Sequence, residues 1–72
     1  MKKPYNRIRY FRKLYEANSG ERMSPYNLAK RLGITKYAVY LWEKQETQPN
    51  EENALKLSEI FKIREEDLWE YR

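Results

Sequence analysis

Ser24-Pro25 on one side and Gly33 on the other bracket eight residues, enough for about two turns of helix. Ser24 offers a hydroxyl to the unpaired amides of a helix start, and Pro25 has the fixed φ and missing N–H that suit the first helical position. Gly33 tolerates the left-handed backbone that closes a helix. Thr35 can cap a new helix only two residues later, and Val39 and Trp42 give that helix, Lys36 to Lys44, an inner face. Leu28, Ala29 and Leu32 give the earlier one the same. Whatever the chain folds into must accommodate two short helices joined by a sharp turn.

The flanking segments carry the same helical period. Ile8, Phe11, Leu14 and Tyr15 recur at three- and four-residue spacing, with Arg7, Arg9, Arg12 and Lys13 on the other faces. Pro4 can precede or open this first helix, and Asn18-Ser19-Gly20 ends it. Gln45 to Asn50 is a polar loop. Asn50 then caps a fourth helix with Glu51 and Glu52 favourably placed in its first turn and Ala54, Leu57, Ser58 and Phe61 along one side. A short fifth helix is expected over Glu65 to Tyr71. No segment alternates like a strand. The expectation is an all-α fold: one domain over residues 1–72, a compact five-helix bundle with its helix-turn-helix core at 24–44.

What the chain lacks narrows its chemistry. It has 72 residues with no cysteine and no histidine, so disulfides, thiolate metal sites and the commonest catalytic base are all missing. No pair of carboxylates in a basic setting, no metal-ligand spacing and no glycine-rich phosphate loop is present. The reading is of a protein that is not an enzyme and needs no cofactor, metal or small-molecule ligand. No apolar run approaches the ~18 residues of a membrane span, and MKKPYNRIRY lacks a signal peptide's apolar stretch. A cytoplasmic protein, prokaryotic or phage-encoded and nucleoid-associated, is expected.

Charge is distributed unevenly. Residues 1–44 hold eleven Lys/Arg against Glu16, Glu21 and Glu43, whereas residues 45–72 hold four Lys/Arg against eight acids. That segregation suggests one side turned toward a polyanion. Two helices of these lengths around a tight turn suit a duplex: the first braces across the phosphate backbone while the second enters the major groove, whose width matches a helix.

The run Leu28-Ala29-Lys30-Arg31-Leu32-Gly33-Ile34-Thr35, then Val39 and Trp42-Glu43-Lys44, resembles the Cro and phage-repressor (XRE-type) class of helix-turn-helix regulators. Pro49 and Ala54 to Ile63 resemble that family's fourth helix, and Asp67-Leu68-Trp69 its fifth, so the likeness covers about residues 6–70. The resemblance implies double-stranded DNA as partner and a role as a transcriptional regulator, a repressor of phage or mobile-element type. It implies base contacts from Lys36, Tyr37 and Leu41, with Tyr40 beside them. It also implies a phosphate contact from Thr35, a second phosphate run at Lys44, Gln45, Thr47 and Gln48, and an Arg12–Glu43 pair tying the first helix to the third.

The chemistry of the residues adds to this. Lys36 can donate to guanine O6 or N7, and the hydroxyls of Tyr37 and Tyr40 can donate to phosphate or base. Leu41 reads at most a thymine methyl, so for Tyr40 and Leu41 a core edge or partner surface stays open as an alternative. Pro25 stands where the family often has a glutamine donor, which leaves contact to Ser24 or the amides of Tyr26 and Asn27 at the positive helix end. Lys30 and Arg31 are further candidate phosphate ligands or else solvated helix positions, and Lys2, Lys3, Arg7 and Arg9 form a basic arm or a solvated tail. Gln45 replaces the glycine that often closes the third helix, at some cost in stability or with another loop route. Between Phe11 and Met23 the chain is about six residues longer than the family's usual spacing, which lengthens the first helix and is either a plain elaboration or an addition of Arg22 to the phosphate track.

A single recognition helix implies two copies on half-sites one helical turn apart. The acidic, aromatic C-terminal helix, with Leu68, Trp69 and Tyr71, is the candidate homodimer surface, unless Leu68 and Trp69 close the core. Two other functions fit the same residues. One is a small architectural or excision-type DNA-binding protein; the other is an antitoxin-like protein-interaction module using Tyr37, Tyr40 and Leu41.

Overall fold

A computed structural model describes residues 4–71. Its elements are strand β1 (Pro4–Asn6), helices α1 (Ile8–Ser19), α2 (Pro25–Leu32), α3 (Lys36–Glu43) and α4 (Glu51–Phe61), a 3-10 turn over Glu65–Leu68, and strand β2 (Trp69–Tyr71). Lys2 and Lys3 of the expected basic arm lie outside the described residues.

Among the described residues four helices form rather than five, and the fold there is not purely helical. The segment expected as a fifth helix is one 3-10 turn followed by a strand, antiparallel to β1 with Pro4 opposite Tyr71, Tyr5 opposite Glu70 and Asn6 opposite Trp69. A helix of seven residues gains little by itself, because nucleating the first turn is costly. Trp69-Glu70-Tyr71 instead carries two aromatic strand formers, and β1 supplies a backbone to pair with. The Arg7 amide donates to the Leu68 carbonyl at 2.7 Å, fixing where the helical turn gives way to the ladder. The two ends of the described chain are thereby held together.

The helix boundaries follow from their caps. Ser24 Oγ accepts from the Asn27 amide at 3.1 Å, and Asn50 Oδ1 accepts from that of Asn53 at 2.8 Å. At the end of α2, Gly33 takes φ +73°, its N–H reaches the Lys30 carbonyl, and the Ile34 N–H reaches that of Ala29 at 3.0 Å, a Schellman closure. The same pair of bonds ends α4, but with Lys62 in the left-handed position at φ +57°. Helix α3 differs at both ends: Thr35 is extended but makes no side-chain cap bond, and after Lys44 the chain turns through Gln45 at φ +65°.

One apolar core joins all four helices and the C-terminal turn: Ile8, Phe11, Met23, Leu28, Ala29, Leu32, Val39, Trp42, Ala54, Leu57 and Leu68. Phe11 stacks on Phe61 with ring centroids 6.0 Å apart. Ala29 is small where α2 and α3 pack, and Met23, in the segment between α1 and α2, is buried in the core. Leu14 departs from its expected inner position: it is exposed, at the groove between α1 and α4, while its neighbour Tyr15 packs against the core. Among the described residues every buried side-chain nitrogen and oxygen has a hydrogen-bond partner. No helix there is long and apolar enough to cross a membrane.

Candidate nucleic-acid interface

Helix α3 divides cleanly by burial. Val39 and Trp42 face the core, while Lys36, Tyr37, Tyr40 and Leu41 are exposed. Positions separated by four share a helix face, so Lys36 with Tyr40 and Tyr37 with Leu41 form one outward surface. Tyr37 is 69% exposed, more open than Tyr40 or Leu41, and the Lys36 ammonium lies 5.7 Å from its ring centre. Tyr40 and Leu41 are 47% and 38% exposed, so neither serves as a core edge. The exposed Thr35 hydroxyl is uncommitted to capping and stands at the positive end of α3.

Helix α2 sets its polar residues beside this surface with several already engaged. The cap bond consumes the Asn27 amide, and Asn27 Nδ2 donates to the Arg22 carbonyl at 3.2 Å. Of the two amides expected to meet phosphate, only that of Tyr26 is left at the helix start. The exposed Tyr26 ring lies 5.5 Å from the Lys30 ammonium. Arg31 is held against α1: its Nη2 donates to the Tyr15 hydroxyl at 3.2 Å and its guanidinium lies over that ring. Both cations remain exposed and keep their charge toward solvent. Arg7 is folded back over Tyr10 and Phe11, which draws it away from an extended basic arm.

The two helices are fixed in orientation by a buried ion pair. Arg12 Nε and Nη2 donate to the two carboxylate oxygens of Glu43 at 2.8 and 2.9 Å, a bidentate fork. Its Nη1 donates to the Met23 carbonyl at 3.1 Å, just before the cap of α2. Their side chains are 7% and 11% exposed. One guanidinium thus ties α1 to the last turn of α3 and to the entry of α2.

The loop after α3 uses its side chains differently from expectation. Lys44 and Thr47 are exposed and available to a phosphate. Gln45 and Gln48 are turned inward. Gln45 Oε1 accepts from the Asn6 amide and its Nε2 donates to the Asn6 carbonyl, both at 3.0 Å. The Asn6 carboxamide donates to the Trp42 carbonyl at 2.7 Å and to Gln48 Oε1 at 2.8 Å. Sequence reasoning passed over Asn6 entirely. The available signal was Gln45 in place of a turn glycine: a side chain there needs compensation, and this one finds it in β1.

The rest of the surface offers little competing chemistry. Among the described residues no cluster of three or more acidic side chains is placed to hold a metal ion. The hydrogen bond and charge of Asp67, with the charge of Glu66, raise the Arg64 pKa above its ordinary value, so it stays cationic. An apolar groove lined by Phe11, Leu14, Tyr15, Ile60, Phe61 and Ile63 lies between α1 and the end of α4. Leu68 is fully buried, so it takes no part in an external contact; Trp69 packs partly on the core and Tyr71 is exposed. The expected C-terminal dimer helix is therefore absent, and its leading apolar residue closes the core.

No curated protein matches the chain significantly. The helix-turn-helix family profile matches residues 22–68, well over half of the chain, from the entry of α2 to the turn before β2. With that match, the exposed face of α3 and the closure at Gly33, the chain belongs to the XRE-type helix-turn-helix family of DNA-binding transcription regulators, whose partner is double-stranded DNA.

Proposed function

We propose that this chain is a sequence-specific repressor of phage or mobile-element type that acts as one unit over residues 1–72 and inserts α3 into the major groove. The observation that carries the reading is the division of α3, with Val39 and Trp42 buried and Lys36, Tyr37, Tyr40 and Leu41 outward. Lys36 donates to guanine O6 or N7, Tyr37 and Tyr40 present a hydroxyl and a ring, and Leu41 meets a thymine methyl. Phosphate contacts come from Ser24, the Tyr26 amide, Lys30, Arg31, Thr35, Lys44 and Thr47, with Asn27 contributing only through its side chain. These contacts supply affinity and salt dependence without choosing a sequence. Two copies bind half-sites one helical turn apart.

Amide chemical-shift mapping during titration with duplex DNA at near-physiological salt tests the placement. Saturable shifts concentrated at residues 35–41 and the start of α2 are expected. Shifts centred on the groove between α1 and α4, or none at all, would overturn it.

A further inference from the structure

Asn6 is a small polar side chain with only 6% exposure, yet it touches three separate parts of the fold. Its Oδ1 accepts from the Ile8 amide at 3.2 Å, serving the start of α1 in place of a side-chain cap. Its Nδ2 donates to the Trp42 carbonyl in the last turn of α3 and to Gln48 in the following loop. Its own amide and carbonyl are both taken by the Gln45 side chain. Successive amides along a strand point to opposite sides. The Arg7 amide points to the Leu68 carbonyl, so that of Asn6 points away from β2, and the Gln45 carboxamide pairs with this other edge of β1 as a strand would.

We infer that Asn6 is a positioning residue for DNA binding: by gripping the last turn of α3 and the Gln45–Gln48 loop, it holds Lys44 and Thr47 where they meet the phosphate backbone. This rests on the reading of α3 as the groove-entering helix. Three features support it. The grip is on the carbonyl end of α3, opposite the end that carries Lys36. The loop turns through a left-handed Gln45, which two hydrogen bonds to Asn6 hold in place. Gln48 also donates to Gln45 Oε1 at 3.1 Å, closing a ring of amides beneath the exposed Thr47. Lys36 and Tyr37 sit on the far turn of α3, so losing the grip removes phosphate contact and leaves the base choice these two make intact.

The test compares Asn6→Ala and Gln48→Ala with wild type in the full chain. Neither substitution changes charge. Binding is measured by fluorescence anisotropy on a selected duplex and on an unrelated one over a salt series, with thermal unfolding in parallel. Asn6→Ala is expected to weaken both duplexes by the same factor, about three- to tenfold, and to reduce the salt slope by ~0.9, one phosphate's share. Gln48→Ala should shift both readouts in the same direction by less. A purely structural role would lower the melting temperature while the folded protein kept the wild-type slope, and would overturn the inference. If Asn6→Ala does not fold at the assay temperature, Gln48→Ala decides by the same slope. A wild type that binds no duplex overturns the functional reading and this inference together; a normal wild type with unchanged slopes in the folded variants overturns this inference alone.

Discussion

Truncating Glu43 should do more damage than removing any surface charge. Its carboxylate is the only acidic partner of the Arg12 guanidinium among the described residues, and both side chains are nearly enclosed. In Glu43→Ala the guanidinium keeps its bond to the Met23 carbonyl and is otherwise a buried, unbalanced cation. Breaking a buried pair in this way costs about 3–5 kcal/mol. At roughly 0.05–0.15 kcal/mol per residue, a chain of this length has only about 4–11 kcal/mol of total stability. The variant should therefore lose about a quarter or more of its stability, and its melting temperature should fall by roughly 12–40 °C. Urea unfolding followed by circular dichroism measures the loss. The double variant Arg12→Met/Glu43→Leu supplies the control: with no charge left inside, it should recover most of the stability. A Glu43→Ala variant within about 1 kcal/mol of wild type would place the pair with solvent-exposed ion pairs and refute the reasoning. So would a double variant no better than the single one.

Three further outcomes are expected. Lys36→Ala should lower affinity for a selected duplex by about 1–3 kcal/mol and relax base choice at one position; equal weakening on every sequence would reduce Lys36 to a phosphate contact. Arg31→Ala should reduce the salt slope of binding by about 0.9 despite the engagement of Arg31 with Tyr15, and an unchanged slope removes it from the phosphate track. Gln45→Gly relieves a left-handed residue worth about 1–2 kcal/mol. It also deletes three hydrogen bonds, each worth about 0.5–1.5 kcal/mol, so a net loss of roughly 1–2 kcal/mol is expected in urea unfolding. A glycine variant more stable by the full ~1–2 kcal/mol of relieved backbone would show that the amide ring contributes nothing.

Much of the helical layout is legible in the sequence because it rests on local chemistry. Ser24-Pro25, Gly33 and Asn50 act through backbone groups within a few residues, and the apolar period of α2 and α3 points at the core without reference to the rest of the chain. The termini were not legible for the opposite reason. Pro4–Asn6 and Trp69–Tyr71 become strands only because each finds the other across nearly the whole sequence. Neither has the length or alternation to announce a strand alone, and Glu65-Glu66-Asp67 reads as a helix start until its successor is drawn off into the ladder. Leu68 was ambiguous because an apolar residue near a chain end looks the same whether it closes a core or meets a partner.

The interface divides along similar lines. The exposed face of α3 follows from spacing, since whatever does not alternate with Val39 and Trp42 must face outward. The commitments of polar groups do not follow from spacing. Asn27 loses its amide to the Ser24 cap, and Gln45 and Gln48 turn inward because Asn6, nearly forty residues earlier, presents matching donors and acceptors. Which amide faces solvent and which faces another amide is decided by tertiary structure.

The central claim is that α3 reads base edges in duplex DNA. It is tested most directly by selecting from a randomised duplex pool at near-physiological salt, with wild type and with Lys36→Ala, and sequencing the enriched sites. The account predicts an inverted repeat with half-sites about one helical turn apart for wild type, and loss of preference at one position per half-site for the variant. Recovery of an unenriched pool by wild type, or an identical motif from both proteins, would contradict it.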